Sequence, residues 1–206
     1  MAEREKRTIS SPVEVRAVDG RPTTLAGYAA VFNEETVIAG FFREVILPGA
    51  FTNAIAADDV RAQFNHGDGG ALPLGRTSAG TLRLTEDDRG LHYEIDMPDT
   101  TQARDLLVSV KRGDVAESSF MFDVESSADE TWDYAPTKNG QLPLRQIKRV
   151  KLYDVSPVVF PAYEGTSVSA RAMVLKDAPP AVPPAPVPDP IAPLLLEQLA
   201  LDEAAR

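Results

Sequence analysis

Gly80–Pro98, GTLRLTEDDRGLHYEIDMP, is the stretch on which the reading of the fold turns. Leu82 and Leu84 alternate with polar residues, Asp87-Asp88-Arg89-Gly90 supplies a turn, and Leu91, Tyr93, Ile95 and Met97 share one face. A period of two on both arms of a turn is the pattern of a half-buried antiparallel hairpin. Upstream, Leu25–Phe32 reads as a strand. Val13 and Val15, alternating with Glu14 and Arg16 ahead of an Asp19-Gly20 turn, read as another. A short helix is expected near Pro48, carrying Phe51 and Ile55. Downstream, residues 99–112 predict a longer helix. Asp99 and Gln102 have the spacing of a capping box, and Ala103, Leu106, Leu107 and Val110 form an apolar stripe. Lys111 and Arg112 meet the negative end of the dipole, and Gly113 is the stop. Strands then dominate from Glu117 to about Phe160. Together these predict a β-rich α+β protein, an antiparallel barrel or sandwich with a few helices around it.

Composition narrows the chemistry. The chain has 206 residues, with 21 Lys+Arg against 31 Asp+Glu, two His, 17 Pro and no Cys. Without cysteine there is no disulfide framework, thiol nucleophile or Cys-based metal centre. His66 and His92 alone do not make a multi-histidine metal cluster. A net charge of −10 argues against a nucleic-acid surface, which needs a basic stripe. The N-terminal MAEREKRTISS lacks the apolar stretch of a signal peptide, and no window approaches about 18 apolar residues, so no membrane span is expected. Eight of the 17 prolines fall in APPAVPPAPVPDPIAP, between Pro179 and Pro193. The expected division is therefore a body over 1–174, an extended Pro-rich linker over 175–193 and a short Leu-rich tail over 194–206. The tail is either a helix that orders against a partner or a frayed terminus.

Four stretches draw attention. His66 ends the run Val60–Phe64 and opens the Gly-rich HGDGG, where scaffolds present functional groups, although loop histidines are also common. His92 falls on the hairpin face of Glu94 and Asp96 and reads as solvated. In AESSFMFDVE, Phe120, Phe122 and Val124 share a face with Ser118, which turns Ser119 to the other side; a bulge would leave the choice between the two serines open. Along VKLYDVSPVVFPAY, Asp154 interrupts the largely apolar series Val150, Leu152, Ser156, Val158 and Phe160. A buried carboxylate needs a partner: an imidazole, a backbone cap, or a cation such as Arg76 or Lys148. No GxSxG elbow, Walker loop, GxGxxG or HExxH motif is present.

FNHGDGGALPLGRT, the Gly-capped helix leading into AESSFMF, and LYDVSPVVFPAYEGTSV occur in the order and spacing of the HK97-family phage prohead proteases. LAGYAAVFNE and FREVILPGAF fit the same family's opening, so the resemblance covers roughly residues 10–171. It implies a serine endopeptidase, packaged inside the prohead in the bacterial host cytoplasm, that removes the scaffolding segment from the major capsid protein and cleaves itself. It also implies a fold similar to the herpesvirus assemblins, a β-barrel surrounded by a few helices, with a homodimer among the expectations. Residue by residue, Ser119 matches the nucleophile, His66 the base and Asp154 an acidic third member. Assemblins use a second histidine there, but the other histidine here is His92, so Asp154 is favoured. The implied roles need no cofactor or metal, and no nucleic-acid or membrane partner. Because an imidazole base must be neutral, activity is expected to fall on acidification. The rival readings are a non-catalytic capsid-assembly protein that binds scaffold through its tail and a hydrolase of small esters.

Overall fold

The computed structural model describes residues 4–9, 12–17, 23–70, 72–135, 137 and 140–159. The linker, the tail and the Asp19-Gly20 turn lie outside them. In chain order come β1 (Glu5–Ile9), β2 (Glu14–Arg16), β3 (Thr24–Val31), β4 (Thr36–Ile38), β5 (Phe42–Ile46), α1 (Thr52–Ala57) and β6 (Arg61–Ala62). They are followed by β7 (Gly75–Arg76), β8 (Leu82–Glu86), β9 (Gly90–Asp96), α2 (Thr101–Arg112), β10 (Glu117–Asp123), β11 (Glu130–Asp133), β12 (Leu144–Ile147) and β13 (Lys151–Val158).

The hairpin forms as its alternation predicts. β8 and β9 pair antiparallel, with Leu82 opposite Ile95 and Leu84 opposite Tyr93, and Leu91, Tyr93 and Ile95 are fully buried. Asp87 Oδ1 accepts from the backbone N–H groups of Arg89 and Gly90, which closes the turn. Gly90 is required, because a Cβ there would collide with the carbonyl oxygen of Ala30 on the neighbouring β3.

A barrel does not form among the described residues. The strands make three open sheets, ordered β1-β10-β13-β6-β7, β11-β12-β5-β4 and β2-β3-β9-β8. Closure would need the first and last strands of one sheet to pair with a consistent stagger. Here β6 and β7 are two residues each, too short to carry a ladder round. Two pairs, β5 with β12 and β6 with β13, are parallel rather than antiparallel. One core joins the layers: Phe51 packs edge-on against Phe120 at 5.5 Å, and Phe120 stacks on Phe122 at 5.0 Å.

The longer helix has a different cap from the expected one. Thr100, not Asp99, is the N-cap, its hydroxyl accepting from the Ala103 N–H at 3.2 Å. Asp99 instead pairs with Arg104 on the surface. The tripeptide Asp-Thr-Thr after Pro98 offers several capping side chains, and extended backbone at Thr100 selects that one. Gly113 ends the helix at φ +84 as expected, and Ala103, Leu106 and Val110 are its buried stripe.

Candidate active site

β10 lies between β1 and β13, and its two faces separate the two serines. Ser118 points to the core side, where its Oγ is 2.8 Å from the Tyr93 hydroxyl. Burial pushes the Tyr93 phenol up to about 12. Ser119 points to the opposite side, opposite Ser156 of β13, with its Oγ 2.8 Å from His66 Nε2.

His66 is delivered by the tight loop after β6. Asn65 and His66 both adopt left-handed backbone, at φ 47 and 58, a conformation that short polar side chains and histidine enter more readily than most. Three hydrogen bonds tie the loop to β13 and its end. The Gln63 N–H donates to the Val155 carbonyl (3.2 Å), the His66 N–H to Ser156 Oγ (3.3 Å), and the Val159 N–H to Asn65 Oδ1 (3.0 Å). Gly67 follows at φ +79, and a Cβ there would stand 2.5 Å from Gln63 Nε2.

β13 is not the unbroken alternating strand expected. Met121 pairs with Asp154 but Phe122 pairs with Leu152, so Tyr153 is an extra residue, a β-bulge. Leu152 therefore shares the core face with Val155, whereas Asp154 and Ser156 share the face of Ser119 and Met121. Asp154 does not interrupt the apolar series after all; the bulge moves it off that face. Its Oδ1 lies 2.8 Å from His66 Nδ1, with both side chains under 5% exposed (3% and 4%). Its Oδ2 is buried without a hydrogen-bond partner among the described residues. Arg76, the alternative cation, pairs with Asp59 instead.

The structure thus brings His66, Ser119 and Asp154 into one hydrogen-bonded series. An Nδ1–H donated to Asp154 leaves the Nε2 lone pair aimed at the serine hydroxyl, the arrangement that activates a nucleophile for acyl transfer. A family model described as Caudovirus prohead serine protease matches residues 11–178. The chain belongs to that family. This prohead protease family member is also 32% identical over 159 residues to the prohead protease of Enterobacteria phage HK97. That match covers 76% of this chain, and the chain spans 63% of the relative's length. The bacteriophage T4 capsid assembly protease is similar at a TM-score of 0.44 and 11% identity, over 77% of this chain and 98% of that one. β1 lies ahead of the stretch matched by the family model.

Within this family member, several residues at or beside the site were not picked out from the sequence. Ser156, which fixes the His66 backbone, sits two residues after Asp154, and strand alternation alone places it on the same face. Arg7, Glu44 and Arg145 had no such signal. Their buried ion pairs join strands far apart in sequence: Arg7 with Glu44, and Arg145 with Glu5, Glu44 and Glu130. Burial alone pushes the Glu44 carboxyl up, but Arg7 and then Arg145 outweigh it and hold the group below its ordinary value. Beside the site, the Arg76 backbone N–H is not free to hold an oxyanion, because it donates to Thr81 Oγ1 at 3.0 Å. His92 is half-buried and packs edge-on against Tyr28 at 5.1 Å. Among the described residues no three His, Asp or Glu side chains cluster to hold a metal, and no helix is long and apolar enough to cross a membrane.

Proposed function

We propose that this chain is a serine endopeptidase that removes the scaffolding segment of the phage major capsid protein during prohead maturation, and that it also cleaves itself. The observation that supports this most is the series Asp154 Oδ1–His66–Ser119 Oγ, with 2.8 Å at each step. His66 Nε2 takes the Ser119 proton as Oγ bonds to the peptide carbonyl carbon. The tetrahedral intermediate then expels the amine, which His66 protonates. Water, deprotonated by the same imidazole, hydrolyses the acyl-enzyme. Asp154 keeps Nδ1 protonated and stabilises the imidazolium in both halves. Backbone N–H groups near Ser119 would hold the oxyanion, each donor contributing about 10²–10³ in rate.

On this reading residues 1–174 are the catalytic body, and the Pro-rich linker and tail tether it to scaffold or capsid inside the prohead, in the bacterial host. A homodimer and kinship with the herpesvirus assemblins belong to the same proposal, and the open sheets lend the latter no support. The test is co-expression with the cognate capsid protein, as wild type and as Ser119→Ala. Shortening by the wild type alone is the expected result. Equal shortening by both would remove Ser119 as nucleophile; shortening by neither would favour a non-catalytic assembly protein.

A further inference from the structure

Ser119 is fully buried, and β1 lies along it. β1 runs antiparallel to β10 with Thr8 opposite Ser119 and Arg7 opposite Phe120. The Ser119 hydroxyl donates to the Arg7 carbonyl oxygen at 2.8 Å, the same distance that separates it from His66 Nε2. A hydroxyl has one proton. While β1 is docked, the proton that His66 must remove has a second acceptor.

β13 occupies the other edge of β10, so the edge held by β1 is where a further strand can pair beside Ser119. Peptides commonly bind by adding a strand to a sheet edge, with main-chain bonds giving affinity and side-chain pockets giving selectivity. β1 has the attributes of such a ligand: extended, antiparallel, with a backbone carbonyl on the nucleophile. The side chain of that same residue meets the buried carboxylate of Glu44, which Arg145 also contacts at 2.9 Å. Arg7 Nε and Nη2 reach the two carboxylate oxygens of Glu44 at 2.5 and 2.8 Å, and Glu44 is 3% exposed. A forked pair of this kind suits guanidinium. A cavity of about 430 Å³ runs beside β1, lined by Thr8, Ile9, Ile46 and Phe120 among others. Displacing β1 would open it further.

We infer that β1 is an internal occupant of the substrate strand's place on β10. It keeps the site latent, and the substrate class the site takes is an extended peptide with Arg or Lys at the residue bearing the scissile carbonyl, received by Glu44. This rests on the endopeptidase reading, and the test separates the two.

Because the chain has no cysteine, a reversible lock is available. Lys6 and Met121 are directly opposed in the ladder, a spacing that accepts a disulfide. In the full chain carrying Lys6→Cys and Met121→Cys, a fluorophosphonate probe should label Ser119 about tenfold more slowly when oxidised than after reduction. In the otherwise native full chain, Arg7→Ala should speed labelling, and this readout does not depend on the disulfide forming. Fluorogenic peptides with Arg or Ala before the cleaved amide should differ about tenfold or more in kcat/KM, and Glu44→Gln should erase that difference. Equal labelling of locked, reduced and Arg7→Ala proteins would overturn the latency, and indifference to Arg would overturn the role given to Glu44. Failure of every form to take the probe at Ser119 would instead overturn the endopeptidase reading, and this inference with it.

Discussion

Replacing Asp154 with Asn changes the charge beside His66 while leaving shape almost untouched. The introduced amide could keep its carbonyl on His66 Nδ1, but its NH₂ would then fill the position of Oδ2, which is buried and has no hydrogen-bond partner among the described residues. Burying that donor unmet costs about 1–3 kcal/mol. The opposite rotamer avoids this by giving the NH₂ to Nδ1. His66 must then carry its proton on Nε2, 2.8 Å from Ser119 Oγ, where it donates instead of accepting. With that tautomer favoured and the imidazolium deprived of its carboxylate, kcat should fall about 10⁴-fold, the size of loss this substitution produces in a Ser-His-Asp site. That corresponds to about 5.5 kcal/mol of barrier. The assay is hydrolysis of the Arg peptide alongside the rate of Ser119 labelling. Thermal unfolding should stay within about 4 °C of wild type, which excludes simple misfolding. Retention of more than about a tenth of the wild-type rate would refute the assignment of Asp154. His92→Ala in the same assay would then show whether a second histidine holds the role.

Other outcomes follow from the buried groups. Arg145→Met leaves Glu5, Glu44 and Glu130 without their shared cation and should destabilise by about 3–5 kcal/mol, lowering Tm by about 6–20 °C. A loss under about 1 kcal/mol in thermal unfolding would mean that solvent screens the network. Glu44 is held below its ordinary value of 4.5, so the unfolded chain takes up the proton first. Its contribution is therefore complete above that value and lost as pH falls through the folded one; urea midpoints measured from about pH 6 to about pH 3 should drop, and drop less in Glu44→Gln. Ser118→Ala removes the partner of the buried Tyr93 hydroxyl and should cost about 1–3 kcal/mol of stability while Ser119 still takes the fluorophosphonate; abolished labelling in a folded variant would contradict the division of labour between the two serines.

Local pattern carried much of the fold. The 80–98 hairpin and the Gly113 stop are set by neighbours in sequence, so alternation and a left-handed glycine are enough to read them. The N-cap was off by one residue because three adjacent residues can all cap, and only backbone geometry chooses. Sheet closure was not legible, since it depends on stagger between strands far apart in the chain. In the site, strand parity separated Ser119 from Ser118, and the Gly-rich turn drew attention to His66. Asp154 was singled out on a mistaken face: an extra residue at Tyr153 leaves no mark in an apolar-polar pattern, and the carboxylate meets His66 from the other side of the strand. The β1 strand and its ion pairs were invisible for a related reason. Glu5, Arg7, Glu44 and Arg145 read as surface charge until the ladder brings them together in the interior.

The bulge at Tyr153 gives β13 something like a reading frame. Upstream of it one parity faces the core, and downstream the other does, so a change of chain length by one residue between Leu152 and Asp154 would rotate everything beyond it. Asp154 and Ser156 would turn inward together, taking away both the carboxylate on His66 Nδ1 and the hydroxyl under its backbone. Substitution at 153 keeps the frame and deletion loses it. At this point in the chain the count of residues matters more than the identity of the one that is extra.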